Sequence, residues 1–389
     1  MLTHVSDMNK KGMCGSSRET EELGMQLQSN QAAKVGWVGQ SMAKLIWRRF
    51  KRNKLAVCGL CVIILIYLII LPAEFFAPYG LDERHGTYNY APPQKIHFDG
   101  IRPFVYALKK QMDPDTFRIT YVEDKSQKLY IKFFVHGTPY RWGPFNLDLH
   151  FFGVENGHVF LLGTDRQGRD LLSRILIGGR VSIVISLFAA CISVALGTTL
   201  GLVSGFFGGV IDNLIQRVAE TVMSFPAIPL WMGLAAAVPP TWDSVKVFSV
   251  LAVIMGAIRW GPLCREVRGK VLSIREEDFV MAAKAVGASS GRILLHHLFP
   301  LVLTYVTVMG TLLVPWMIMA ESTLSFLGLG IRPPMTSWGS LLREAQNMLT
   351  LSQAPWLLVP AIFVVITVLT FNFLGEGLRD AADPYTIRR

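Results

Sequence analysis

The sequence predicts an all-α polytopic membrane protein, with about six transmembrane helices and a mixed, partly β extracytoplasmic insertion between the first and second. Three observations lead to this fold class. Of 389 residues, 51% are hydrophobic and 17% charged, and the mean hydropathy is positive, which is too apolar for a soluble chain of this length. Apolar runs recur near the roughly 20 residues that cross hydrocarbon. One polar, aromatic and turn-rich stretch, 78–180, interrupts them after the first run.

Taken in order, residues 1–40 read as a disordered cytoplasmic tail of polar residues without apolar periodicity. No cleavable signal is expected, since the first apolar run begins only at Leu55 and lacks a small-residue cleavage pattern. Segment 41–77 combines a basic flank with the first span, 55–77. Cys58 and Cys61 form a CxxC inside that span, and with no second pair they are expected to be small buried hydrophobes. Cys14, Cys191 and Cys264 are scattered, so haem, zinc and thiol redox roles lack support.

Within 78–180, residues 118–122 and 129–135 read as strands joined by a charged turn near Asp124, with a third strand at 159–162. Tyr130, Phe133, Phe134, Tyr140, Trp142, Phe151 and Phe152 are expected to build its core. No cysteine lies there, so packing or docking must hold it. At its end, Leu171, Leu172, Ile175 and Leu176 recur at helical spacing with Arg169, Asp170, Ser173 and Arg174 between them. That pattern predicts an amphipathic helix at the outer surface, capped by Thr164 or Asp165. Its glycines lack the strand, helix and Lys-Ser/Thr framework of a phosphate loop, which argues against a nucleotide site.

The transmembrane core, 181–376, holds the remaining spans at 181–203, 222–238, 247–263, 298–320 and 356–374. The second of these is weaker and is interrupted by Pro226 and Pro229; Pro315 is a further possible break in 298–320. Lys44, Arg48, Arg49, Lys51, Arg52 and Lys54 precede the first span with no acid among them, placing the N-terminus in the cytoplasm. Arg265, Arg268, Lys270, Arg275, Lys284 and Arg292 mark the loop 264–297 as cytoplasmic too. Arg379, Arg388 and Arg389 do the same for the tail 377–389. The net charge of +10 is thereby a topology signal rather than a nucleic-acid footprint. In this core helical spacing can let Asp212 or Glu220 meet Arg217, and Glu321 lies at the outer end of the fifth span; Glu321, Asp212 and Arg217 are structural or gating candidates. Gly328, Gly330, Pro333 and Pro334 shape an external turn, with Trp338 placed at the membrane interface. The neighbouring His296 and His297 diverge on a helix, so no metal site is expected.

The loop 264–297 is the most informative stretch. Phe279 to Val286 is rich in helix formers, with Ala282, Ala283 and Ala285 as a small-residue face, and Gly287 supplies a helix end. Ser289 and Ser290 can cap a second helix over 292–297 before Phe299 and Pro300 lead back to the membrane. Two short helices at this spacing suit docking into a groove. No nucleophile, base and orienter can be assembled from any neighbourhood, so the chain reads as a non-enzyme.

This layout resembles the cytoplasmic coupling loop of ABC importer permeases. Ala282, Ala283, Gly287 and Pro300 match that pattern in register, while Met281, His297 and Phe299 depart from it. GTDRQGRDLLSRILIGGRVS at 163–182, GLVSGFFGGVIDNLIQRVAETVMSFPAIPL at 201–230, ESTLSFLGLGIRPPMTSWGSLL at 321–342 and GLRDAADP at 377–384 are similar, in the same order, to the oligopeptide, dipeptide and nickel class. Within that class the chain resembles the C-type subunit. The resemblance implies that Phe279, Met281, Ala282, Ala283, Gly287 and Pro300 form the ATPase-coupling loop. It also implies a second, B-type permease, two ATP-binding subunits, an extracytoplasmic solute-binding protein and the lipid membrane as partners. No cofactor is then bound by this chain, and ATP is hydrolysed by partner subunits. The implied cargo is a peptide, with oligosaccharide, opine or nickel as related solutes. The competing class, a secondary transporter or channel, would carry coupling charges in its spans and an internal repeat; neither is evident.

Overall fold

The computed structural model describes residues 42–112, 114 and 119–383. The tail 1–40, Cys14, Arg118, Arg388 and Arg389 lie outside them. The chain opens with α1 (Met42–Phe50), α2 (Lys54–Ile70) and α3 (Ala73–Phe76), followed by the insertion strands β1 (His97–Asp99), β2 (Arg102–Met112), β3 (Ile119–Tyr130), β4 (Lys132–Trp142) and β5 (Phe145–Gly153). Then come α4 (Leu171–Phe207), α5 (Gly209–Ser224), α6 (Ala227–Ala236), α7 (Ser244–Ile258) and α8 (Trp260–Ile274). The chain continues through α9 (Asp278–Ala285), α10 (Ser290–Arg292), a π-helical turn (Ile293–Leu298) and α11 (Phe299–Phe326), and closes with α12 (Trp338–Arg343), α13 (Met348–Gln353) and α14 (Val359–Ala382). Among the described residues three helices are long and apolar enough to cross a membrane alone, and up to six spans result when each sharply bent pair counts as one.

The span boundaries shift for local reasons. The first ends at Ile70 rather than 77, because Pro72 interrupts the helix before the single turn of α3. It is preceded by α1, turned through 98°. Cys58 and Cys61 are exposed on α2 instead of buried, since Ala56 and Gly59 form the face that meets α14; a Cβ on Gly59 would lie 3.1 Å from the Thr370 carbonyl. The run 222–238 is not a straight span. Phe225 takes the extended backbone favoured before Pro226, and α5 meets α6 at 85°. Pro229 is absorbed in the first turn of α6. The fourth run bends by 41° between α7 and α8, whereas Pro315 sits inside a continuous α11 without ending it. The sixth runs on to Ala382, so the start of the 377–389 tail is helical.

No separate amphipathic helix stands before the second span. Leu171 is the first residue of α4, which runs 37 residues without a break and is capped by Asp170, whose carboxylate accepts from the Ser173 N–H at 2.8 Å. Arg169, Asp170, Ser173 and Arg174 are buried instead of facing solvent. Asp165, fully buried, accepts from Arg169 Nε at 2.7 Å and from Arg174 Nη1, and Glu344 reaches Arg174 Nη1 at 3.2 Å. Asp165, Arg169 and Arg174 therefore belong to a charge network joining the insertion, α4 and the segment after α12.

In the insertion β1, β2 and β3 form an antiparallel sheet and β4–β5 a separate hairpin. Strand β3 runs through the expected turn at Asp124: the register steps from Tyr106↔Lys128 to Ala107↔Asp124, so residues 125–127 bulge out of one strand. Residues 159–162 are not a strand. Two of their N–H groups are satisfied by side chains, Val159 donating to the Tyr79 hydroxyl at 2.8 Å and Phe160 to Gln94 Oε1 at 2.5 Å. The aromatic residues split. Phe151 and Phe152 are half-buried, while Phe133, Phe134 and Trp142 are more than half exposed rather than core.

Candidate coupling surface

Helix α9 ends because Gly287 follows it. The Gly287 N–H donates to the Lys284 carbonyl and the Ala288 N–H to the Ala283 carbonyl, both at 3.0 Å, and Gly287 takes φ +81°. These paired bonds are a Schellman cap, which needs a residue at ease in the left-handed region. A Cβ at Gly287 would meet nothing within 4 Å, so the requirement there is one of backbone conformation alone. Ser289 then caps the next turn, accepting from the Arg292 N–H. The bonding pattern loosens into a π-turn, with the Phe299 N–H reaching the Leu294 carbonyl five residues back, immediately before Pro300, which has no N–H to give.

Val280 is the anchor of this element. It is fully buried among Val267, Val271, Ile293 and Leu298, with Ala283 and Ala288 packed beside it. The opposite face has no cover among the described residues: Phe279 is 43%, Met281 53% and Val286 85% exposed, and Ala282 is exposed with them. The small-residue face anticipated at 282, 283 and 285 is thus divided, Ala283 inward and Ala282 outward. Pro300 is exposed at the start of α11.

Movement of α9 would be carried into the core by close helix contacts that the sequence reading did not single out. Gly197, Gly201 and Gly205 recur every four residues on α4 against α8, where a Cβ on Gly201 would stand 2.7 Å from the Cys264 carbonyl and one on Gly205 2.8 Å from Val271 Cβ. This is small-residue packing of the kind that lets helix backbones approach within a bilayer, and the G-x3-G-x3-G spacing was there to find it. Beside it, Asp212 does not meet Arg217. Five residues along a helix is about 140° of rotation, which turns Asp212 toward α8. There it accepts from Arg268 Nε and Nη2, each at 2.6 Å, and from the Ser204 hydroxyl. Glu220 takes Arg217 instead at 3.4 Å, and also Arg265 at 3.0 Å.

Glu321 lies at the far end of α11 and is only 2% exposed. The Ser182 hydroxyl donates to its Oε2 at 2.9 Å and the Ser325 hydroxyl to its Oε1 at 2.7 Å. Those hydroxyls in turn accept from the Trp338 N–H at 3.0 Å and the Ile331 N–H at 3.1 Å. Trp338 is fully buried, its indole N–H donating to the Ile175 carbonyl at 3.0 Å, so it is a core residue rather than an interfacial one. The acid therefore ties α4, α11 and the 327–337 turn into one polar knot.

Two family models match the chain: the binding-protein-dependent transport system inner membrane component over residues 197–388, and the N-terminal TM domain of oligopeptide transport permease C over residues 41–93. The chain is similar to the oligopeptide transport system permease protein OppC of Haemophilus influenzae, 44% identical over 232 residues, covering 59% of this chain and 71% of that protein. It is also similar to OppC of Escherichia coli, 43% identical over 59% of this chain and 74% of the relative. The dipeptide transport system permease protein DppC of Lactococcus lactis is 30% identical over 92% of this chain and 94% of its own length. The long N-terminal insertion is included in that last alignment. The chain belongs to the family of binding-protein-dependent inner membrane components, the non-catalytic, multi-pass permease subunits of ABC importers.

Proposed function

We propose that this permease forms one half of the translocation pathway of an ATP-driven peptide importer and that α9, with the Gly287 bend, is its point of contact with a cytoplasmic ATPase. The observation that carries this reading is the two-sided character of α9: Val280 locked into the core, Phe279, Met281 and Val286 bare on the other side. A rigidly capped helix of this kind can pass a partner's displacement to α8 and α11 without deforming, and a permease is a two-state element biased by such partners. Peptide cargo is supported by the names of the three relatives described above, which are oligopeptide or dipeptide permeases.

In this reading the partners are a second permease, two ATP-binding subunits and an extracytoplasmic solute-binding protein, with ATP bound and hydrolysed by the ATP-binding subunits and no cofactor held here. The basic residues beside α1 and along 265–292 support a cytoplasmic N-terminus and a cytoplasmic α9, with the insertion on the outer side. Glu321 serves as a structural knot at the outer end of the pathway, and the Asp212–Arg268 pair fixes α5 on α8. The test is a mild-detergent pulldown of the tagged chain from its native membrane, followed by mass spectrometry and an ATPase assay. Recovery of a second permease and an active ATPase is the expected result; a clean homomer without ATPase contradicts it.

A further inference from the structure

The β4–β5 hairpin carries an apolar face whose tip, Trp142 and Phe145, is more than half exposed. Register pairs Trp142 with Phe145 and Tyr140 with Leu147, so these four side chains share a face, while Arg141 pairs with Asn146 on the other. Trp142 is 52% and Phe145 64% exposed. Farther along the hairpin, Phe134 holds φ +59°, a costly backbone conformation for an aromatic residue, with its ring against Phe151 at 5.9 Å. A two-stranded hairpin in water is marginal on its own, and leaving this many rings in solvent gives up the burial that would stabilise it.

Two contacts fix where the hairpin sits. The Phe151 ring packs on Phe75 at 6.0 Å and Phe76 at 5.4 Å. Those residues follow directly after α2, whose 17 residues rise about 25 Å, close to the roughly 30 Å of hydrocarbon in a bilayer. A span of that length would end with Phe75 and Phe76 close to the boundary between acyl chains and headgroups. At the middle of the hairpin, Thr138 and Tyr140 share the walls of a cavity of about 350 Å³ with Arg180, Val181 and Met335, at the end of α4 nearest the insertion. Two separated points of the hairpin thus meet the same end of the helical bundle, and its length runs along that surface instead of away from it.

We propose that the aromatic face of the β4–β5 hairpin lies in the headgroup region of the leaflet nearest the insertion, as a monotopic anchor continuous with the end of the first span. Tryptophan, tyrosine and phenylalanine at this depth are the side chains that partition to a bilayer interface. Lipid is favoured over a protein partner because the face continues directly from Phe75 and Phe76 at the membrane boundary.

The test uses the full chain in lipid nanodiscs, reading the emission specific to Trp142 as the difference between the wild type and Trp142→Phe. Lipids brominated on their acyl chains are expected to reduce that emission roughly twofold or more, as for an indole at the interface, while aqueous iodide leaves most of it. Quenching by iodide but not by bromolipid overturns the proposal. So does shielding from both, whether in the chain alone or only once the solute-binding protein or second permease is present; the latter would assign the face to a protein. Because Trp142→Phe alone could perturb the hairpin, the reporter is also moved across the strand pair, as Phe145→Trp in the Trp142→Phe background, where the same bromolipid quenching is required.

Discussion

Glu321 accepts from two hydroxyls that themselves hold the Trp338 and Ile331 amides, so its replacement tests the knot residue by residue. Glu321→Gln keeps an acceptor for at least one serine and should retain folding and transport. Glu321→Leu strands both hydroxyls, at about 1–3 kcal/mol for each buried group left unpaired, and should lower the melting temperature of the detergent-purified chain; equal melting of the two variants would contradict the assignment. Asp212→Ala removes a bidentate partner from Arg268, and a loss of about 1–3 kcal/mol is expected, measurable by thermal unfolding, with Arg217→Ala near neutral because its pair is exposed. His85 and His158 lie ring to ring at 4.2 Å beside Phe160 and Tyr88. Desolvation holds both below their ordinary value of 6.5, and for His85 the neighbouring His158 adds to the depression while Glu83 opposes it. Rings that stay neutral in the fold but take protons when unfolded stabilise the insertion fully above that value, and the contribution is lost as pH falls below it. Near-UV circular dichroism melts should therefore be flat at higher pH and drop below about 6.5, with a shallower drop in His158→Phe.

At the scale of elements, the sequence exposed what is local and concealed what depends on a neighbour. The α9 cap was legible because Gly287 and the alanines before it specify a helix end through their own backbone preferences. The insertion strands were only half legible, because β3 continues past Asp124 by bulging residues 125–127, an arrangement dictated by pairing with β2. The start of α4 was misread because Arg169 and Arg174 look solvent-facing until Asp165 and Glu344 are seen to pair with them, and Asp170 until it is seen to cap the helix through Ser173. The stripe Gly197, Gly201 and Gly205 carries the clearest prediction at this scale. Gly201→Leu would drive a side chain into the Cys264 carbonyl and Val267; overpacking costs about 1–3 kcal/mol and should prise α4 from α8, read as lost thermal stability and lost uptake, whereas Gly269→Leu, with nothing within 4 Å of its Cβ, should be tolerated. Gly287→Val imposes a left-handed conformation on a β-branched residue, costing on the order of 1–2 kcal/mol. Uptake should fall while membrane insertion survives; normal uptake at normal expression would remove the bend from the mechanism.

For the whole molecule, composition and the positions of Lys and Arg were enough to place the chain in a membrane, whereas the bends were not legible. The 85° break between α5 and α6 and the 98° turn after α1 arise where a proline or a charged break meets packing against distant helices. These bends let the bundle present α9 on one end and the Glu321 knot with the insertion on the other, joined by α4, whose 37 residues extend about 55 Å. The central claim is that the bare face of α9 is covered by an ATPase in the assembled importer. It is tested most directly by placing a photoreactive residue at Met281 and irradiating the intact complex in native membranes. An adduct with the ATP-binding subunit, lost when the probe is moved to the inward-facing Val280, is the predicted result. A complex that retains its ATPase yet gives no such adduct from position 281 would contradict the account.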